Sequence, residues 1–255
     1  AQDFIAEPDD RPFFCMLTPN APHGPWNVES QWAQPYRDRC PEHRARFYGM
    51  IENIDHNVGR LLDYLERTGQ RENTIVIFMS DHGEMLGDHG LYLKGPFLYD
   101  PATRVPLVIS WPKRFAEGLR SEALVELLDL MPTLLDAAGV PTPADVQGKS
   151  LTKLCTGESD PHRHRSEVYT EYQNALRTHR DPVPYLASIR DYDYRIVGYA
   201  GLDTGELYDL QADPGEHTNL WDEPTYAKVR QTYTDRLLAR MLHAADPMPL
   251  RESEF

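Results

Sequence analysis

Cysteine is scarce in this chain. Cys15, Cys40 and Cys155 are odd in number and far apart among 255 residues, which excludes a zinc spacing and a disulfide framework. They read as buried or reduced thiols. No apolar run approaches the ~20 residues of a membrane-spanning helix. No signal segment opens the chain, so no membrane partner is expected and the compartment stays open between cytoplasm and periplasm. Basic residues are the minority: 26 Lys and Arg against 40 Asp and Glu give a net charge of -14 and a pI of about 5.1. A nucleic-acid-binding face is therefore not expected. An anionic substrate would need a local basic pocket inside an acidic whole. Internal repeats and low-complexity segments are absent. There is also no initiator Met, and Ala1 reads as the tail of a helix, so the chain is expected to begin partway through a protein.

What is present suits one sizeable core, with 40% hydrophobic and 26% charged residues. Residues 13–18 (FFCMLT) read as a short buried strand, followed by a proline-rich loop, PNAPHGPW. Over residues 42–67, Phe47, Ile51, Ile54, Val58, Leu61, Leu62 and Leu65 recur at three- and four-residue steps, the stripe of an amphipathic helix. Gly69 ends it. Residues 74–80 (TIVIFMS) read as a second buried strand, with the continuous apolar character of a parallel sheet covered on both faces. RVPLVISWP is a third, in which Pro106 calls for an edge position or for pairing that begins after it. ALVELLDLMPTLLDAAG reads as a second amphipathic helix bent at Pro132.

This alternation predicts a three-layer α/β domain. After Gly148 the texture changes. EVYTEY, YLASIRD, YRIVGY and ELYDLQ are short, β-branched and aromatic, and predict an antiparallel sheet. Residues 225–244 predict a last helix with Val229, Tyr233, Leu237, Leu238 and Met241 facing inward. The expected division is 1–157 for the α/β part and 158–255 for a small α+β subdomain.

Ligands of α/β sheets gather beyond the carboxyl ends of the strands, and the polar residues cluster there. Asn20 and His23 follow the first strand; Asp81, His82, Asp88, His89 and Lys94 follow the second. Asp81 offers a hard oxygen and His82 an imidazole nitrogen to one divalent cation. Adjacent residues share a metal only if the backbone turns sharply, and Gly83 permits a turn. Lys94 places a compact positive charge suited to a developing oxyanion. His23 could donate to an ester oxygen or protonate a leaving group. Each residue has a bland alternative. Asp-His-Gly is a common turn, a lone lysine is usually solvated, and a histidine in a proline-rich loop is more often structural. Asp88 and His89 could simply cap the loop they sit in.

Taken in order, these segments resemble the sulfatase family of the alkaline-phosphatase-like superfamily. PNAPHGPW is similar to that family's Pro-His-x-Pro loop, and IVIFMSDHGEMLGDHGLYLKG to its metal-and-lysine segment. RVPLVISWP is similar to the strand that follows, IDHNVGRLLDYLERTG to the long helix, and ELYDLQADPGEHTNL to the C-terminal signature. The resemblance implies part of the alkaline-phosphatase-like sheet, followed by a small antiparallel sheet with a helix. It implies Asp81 and His82 as metal ligands, and His23 and Lys94 as catalytic residues contacting sulfate. It gives His89 and Asp100 supporting roles, and Arg104 an ion pair that orients a loop. The cofactor implied is a divalent metal ion, Ca²⁺ first, with Mn²⁺ or Mg²⁺ as alternatives.

The family's nucleophile is a formylglycine matured from Cys- or Ser-x-Pro-x-Arg, and its metal site also takes an early Asp-Asp pair, which is not expected in this chain. CMLTP, CPEHR and CTGES do not match that motif, so formylglycine is expected only outside this chain. The chain alone is then expected to be inactive. The implied activity is hydrolysis of a small-molecule or glycan sulfate ester. The alternatives are a phosphonate monoester or phosphodiester hydrolase of the same superfamily, and a non-catalytic remnant of the fold. Trp26, Tyr92 and residues 173–184 would line the pocket for the organic part of the substrate. Arg177, His179 and Arg180 read equally as solvated surface. A homo-oligomer stays open.

Overall fold

The computed structural model describes residues 1–7, 11–174 and 181–245. By internal packing the chain separates into two units, residues 1–75 with 111–113, and residues 76–110 with 114–255. In the first unit, α1 (Gln2–Ala6) and α2 (Ser30–Ala33) precede the long helix α3 (Glu42–Arg67). The limits of α3 are those its apolar stripe predicts. Its end is a Schellman motif. Gly69, at φ 70°, donates to the Glu66 carbonyl at 3.0 Å, and Gln70 donates to that of Leu65 at 2.8 Å.

The face that α3 buries is shifted from the expected stripe. Ala45, Gly49, Met50 and Leu65 are buried, whereas Ile51 is 41% exposed. The cause is α2, which packs so closely that a Cβ on Gly49 would lie 2.8 Å from the Ala33 nitrogen. A small residue sets that contact, and small residues carry no weight in a hydrophobic stripe. Residues 13–18 are not a strand, and Phe14 and Met16 are 74% and 72% exposed. Among the described residues no strand pairs with this run, and apolar composition cannot supply the ladder partners that a strand requires. All three cysteines are free and half-buried.

The second unit begins with β1 (Val76–Met79), which pairs with β2 (Leu107–Ser110). The pairing is antiparallel, from Val76 opposite Ser110 to Met79 opposite Leu107, which corrects the expected parallel arrangement. An all-apolar strand reports burial, not the direction of its neighbour. Pro106 stands just outside the ladder, as its missing N–H demands. Between the strands lies the short helix α4 (Asp100–Thr103).

The expected bent helix over residues 123–139 is replaced by a 3-10 turn at Leu127–Asp129 and the helix α5 (Leu130–Ala137). Glu126 and Asp129 form a capping box that starts it. Pro132 falls in the first turn of α5, where a missing N–H removes no helical hydrogen bond, so it bends nothing.

A short α6 (Thr152–Cys155) leads into a four-stranded antiparallel meander. Its strands are β3 (Val168–Gln173), β4 (Tyr185–Arg190), β5 (Tyr194–Tyr199) and β6 (Gly205–Asp209), in the order 3-4-5-6. This is the sheet the sequence predicts. The last helix, α7 (Ala227–Ala245), covers one face through Tyr233 and Leu237 against Ala187, Ile189, Ile196 and Leu207. Val229 packs at the edge of that cluster. Leu238 and Met241, expected inside, are 56% and 43% exposed, because the contact with the narrow sheet takes one stripe of the helix and not its flanks. The other sheet face packs Leu186 and Val197 against Leu98.

A buried ionic hub ties the start of α5 to α7. Arg165 pairs with Asp129 and, at 3.1 Å, with Glu126. Arg240 of α7 lies 3.4 Å from Glu126, whose other oxygen accepts the Tyr169 N–H at 2.8 Å. His164 Nε2 lies 3.4 Å from Asp129 without a hydrogen bond.

Two outcomes follow. Gly49→Ala should cost about 1–3 kcal/mol, because the clash is with backbone atoms that cannot yield locally; denaturant unfolding measures it. Burial holds the His164 imidazole below its ordinary value, Arg165 and Lys149 act in the same direction, and Asp129 opposes. The unfolded chain therefore binds this proton more readily than the folded one. The stability from neutral His164 is complete above about pH 6.5 and is lost as the pH falls through and below that value. The melting temperature should drop between pH 7 and pH 5.5, and His164→Gln should flatten that drop.

Candidate functional site

Beyond the end of β1 the chain turns through Ser80, whose hydroxyl donates to the His82 carbonyl at 2.7 Å. Asp81 Oδ1 accepts the His82 N–H at 3.0 Å. The His82 ring sets Nδ1 at 2.8 Å from the Gly83 carbonyl. A carbonyl only accepts, so Nδ1 carries the proton and Nε2 presents its lone pair. That Nε2 lies 3.6 Å from Asp81 Oδ2. Two ligands ~2.2 Å from one ion and at roughly a right angle stand ~3 Å apart, so the pair fits a shared cation. The Asp81 side chain is 82% exposed and that of His82 41%, leaving both open to a ligand. Among the described residues no group of three or more His, Cys, Asp or Glu side chains forms a metal cluster.

Gly83 serves a different end from the one the sequence suggests. Its φ is not positive. A Cβ there would lie 2.0 Å from the Pro101 carbonyl oxygen, and its N–H donates to the Ala102 carbonyl at 2.8 Å. Glycine is needed for the approach of α4, and α4 in turn holds the N–H of the residue whose carbonyl orients His82.

Lys94 sits half-buried at the end of a tightly coiled loop. Leu86, His89 and Leu93 all take left-handed backbone angles, at φ 46°, 53° and 68°. Each costs roughly 1–2 kcal/mol, and the loop offsets this locally. Met85 donates to the Leu93 carbonyl at 3.0 Å and is fully buried. The Glu84 carboxylate accepts from the N–H of Leu86, at 3.2 Å, and from that of Leu93. Among the described residues, Lys94 has no carboxylate partner.

His89 is a wall. It stacks on Tyr99 at 4.1 Å and meets the His217 ring at 4.8 Å. Gly87, Asp88, His89, Pro101, Glu216 and His217 line a pocket of about 450 Å³. Asp100 and Arg104 lie 4.0 Å apart. The tighter partner of Asp100 is Arg195, whose side chain is 2% exposed. Arg195 also pairs with Glu216 and donates to the Leu98 carbonyl at 2.5 Å. Glu216 accepts the Asp100 N–H at 2.7 Å, and burial pushes its carboxyl above the usual range against the pull of Arg195. The sequence reading missed Arg195 and Glu216. The signal was there, in an arginine between the aromatic and β-branched residues of YRIVGY, a position that demands a buried counter-charge.

His23 belongs to the other unit. It is exposed, with Nδ1 at 2.7 Å from the Gly24 carbonyl, which leaves Nε2 as its outward nitrogen. Trp26 is taken up by α3, stacked on His43 at 6.0 Å and edge-on to Phe47 at 6.1 Å. Tyr92 is 49% exposed. Arg177, His179 and Arg180 lie outside the described residues. Gly83→Ala should lower stability by about 2 kcal/mol or more, since overpacking against backbone has no cheap relief; a denaturant midpoint like that of the parent would show that the approach of α4 is not tight.

Residues 1–140 match the sulfatase family model, and residues 87–243 match that of the N-sulphoglucosamine sulphohydrolase C-terminal region. An N-acetylglucosamine-6-O-sulfatase of Bacteroides thetaiotaomicron is 34% identical over 227 residues, covering 81% of this chain and 40% of that protein. Two solved structures share the fold. One, in complex with its substrate D-glucosamine-2-N,6-O-disulfate, has a TM-score of 0.71 and 31% identity, over 85% of this chain and 46% of that one. The other, a phosphonate monoester hydrolase of Agrobacterium radiobacter, has a TM-score of 0.73 and 33% identity, over 83% of this chain and 44% of that one. The chain thus spans under half the length of these three relatives, and within that span it belongs to the sulfatase family, with the α/β fold of the alkaline-phosphatase-like hydrolases.

Proposed function

We propose that the protein hydrolyses sulfate esters and that this chain supplies part of the metal site and the sulfate-binding cation. The observation that carries the reading is the Asp81–His82 pair, with Nε2 turned to the carboxylate at 3.6 Å. We assign residues 1–157 to the catalytic α/β domain and 158–255 to a C-terminal subdomain. A divalent cation on Asp81 and His82, when bound, would supply a Lewis acid for the sulfuryl oxygens. Ca²⁺ is our first choice and Mn²⁺ or Mg²⁺ the alternatives; the remaining ligands of a six- or seven-coordinate ion would come from outside the pair.

Lys94 neutralises charge that develops on the sulfuryl oxygens as the S–O bond breaks. His23 acts as an imidazolium: its Nδ1–H stays on the Gly24 carbonyl while its Nε2 proton passes to the departing alcohol oxygen, leaving a neutral ring. The nucleophile we assign to a formylglycine elsewhere in the protein, because no cysteine here lies in its motif. The sulfated glucosamine in the related complex supports a sulfated glycan as the substrate class.

Hydrolysis of a phosphonate monoester is the second reading, supported by the Agrobacterium radiobacter hydrolase. The two separate on the whole protein assayed with 4-nitrophenyl sulfate and with a phenylphosphonate monoester. The expected result is a higher kcat/KM on the sulfate, and a higher one on the phosphonate would reverse the order. Lys94→Ala should lower kcat/KM by about 10²–10³-fold. His23→Ala should lose most with poor leaving groups and little with 4-nitrophenolate, which departs unprotonated. Undiminished activity in both variants would remove the assigned roles.

A further inference from the structure

The ion pairs around Arg195 end at the candidate metal ligands, and each link in between is short. Arg195, the second residue of β5, holds both Asp100 and Glu216. Its Nη1 donates to the Leu98 carbonyl at 2.5 Å, and Glu216 takes the Asp100 N–H at 2.7 Å. Together these groups fix the entry to α4. The Ala102 carbonyl of α4 accepts the Gly83 N–H at 2.8 Å, and the Pro101 carbonyl occupies the space beside Gly83 that a side chain would fill. The Gly83 carbonyl then accepts from His82 Nδ1 at 2.8 Å. That last bond selects the tautomer that leaves Nε2 bare.

We propose that Arg195 and Glu216 are positioning residues for His82, acting through α4 and the backbone of Gly83, N–H on one side and carbonyl on the other, to hold the imidazole in its metal-ready tautomer and orientation. The metal part rests on the reading of Asp81 and His82 given above; the tautomer part does not. The geometry favours this role over simple support of the fold. A guanidinium needed only for stability would pair with any two carboxylates. These two partners sit on the one segment that grips Gly83 and on the turn that clamps its first peptide. Outer groups that orient a ligating histidine are typically worth about 10–100-fold in metal affinity.

The test uses the whole protein with Glu216→Gln, and with Arg195→Lys as the gentler variant that keeps the charge and loses the fork. Arg236→Met is the control. Arg236, on α7, pairs with Glu167 before β3 and Asp191 in the β4–β5 turn, a more exposed network that makes no direct bond to α4 or Gly83 among the described residues. Asp81→Ala reports on the metal site itself. Calorimetric titration with Ca²⁺ and with Mn²⁺, the ¹⁵N shifts of the His82 ring in the metal-free protein, and thermal melts are measured on each.

Expected is a Kd raised about tenfold or more in Glu216→Gln and by less in Arg195→Lys. The His82 ring should shift from the Nδ1–H form toward a mixture, while Arg236→Met stays within twofold of the parent. An Nδ1–H ring unchanged in both Glu216→Gln and Arg195→Lys overturns the positioning role whatever the metal data. An equal loss of affinity in Arg236→Met overturns it as well, by reducing it to stability. Parent-like affinity in Asp81→Ala overturns the metal reading separately, and the ring shifts then decide the tautomer part alone.

Discussion

A guanidinium with 2% of its side chain exposed must be matched by charge, because an unpaired buried ion costs several kcal/mol. Arg195 is matched twice, by Asp100 and by Glu216, and it takes the Leu98 carbonyl as well. Leu98 and Asp100 are near neighbours, but Arg195 and Glu216 are far from them in the chain, and all have one geometry in common. The Lys94 loop, α4, β5 and the turn after β6 can meet only where the fork of Arg195 reaches all three acceptors. A lysine could not do this, since its ammonium is a point charge and not a planar fork.

Against that anchor the loop before α4 can hold backbone angles it would otherwise relax. Three non-glycine residues with positive φ within eight positions persist only where the surroundings over-determine them. Here the surroundings are the buried Met85, the Glu84 carboxylate and the His89–Tyr99–His217 stack. The result is a stiff mount for Lys94. Stiffness suits the role proposed for Lys94, a cation standing ready for charge that develops only as a bond breaks.

The net charge of -14 says little about this interior. Around Asp100, two carboxylates face Arg190 and Arg195, and around Glu126, two carboxylates face Arg165 and Arg240. Buried charge is close to balanced in both hubs. The excess of acid belongs to the surface, where water and salt screen it, and it does not argue against the anionic substrate proposed for Lys94.

The sequence by itself determined what depends on near neighbours. The limits of α3 follow from a periodic stripe and a glycine that accepts positive φ. The meander follows from short β-branched runs between turns. Asp81 and His82 fall at a strand end because the apolar run stops there. Tertiary structure alone decided what depends on a partner distant in the chain. Residues 13–18 are apolar enough for a strand but have no ladder among the described residues. The β1–β2 pair is antiparallel, although its composition suggests the opposite. Gly83 reads as a turn residue and is in fact the floor on which α4 rests. Ile51, Leu238 and Met241 share a period with buried neighbours and stay exposed. In each case the local pattern fixes what a segment can form, whereas burial and pairing are set by the surface brought against it, and no window of sequence contains that surface.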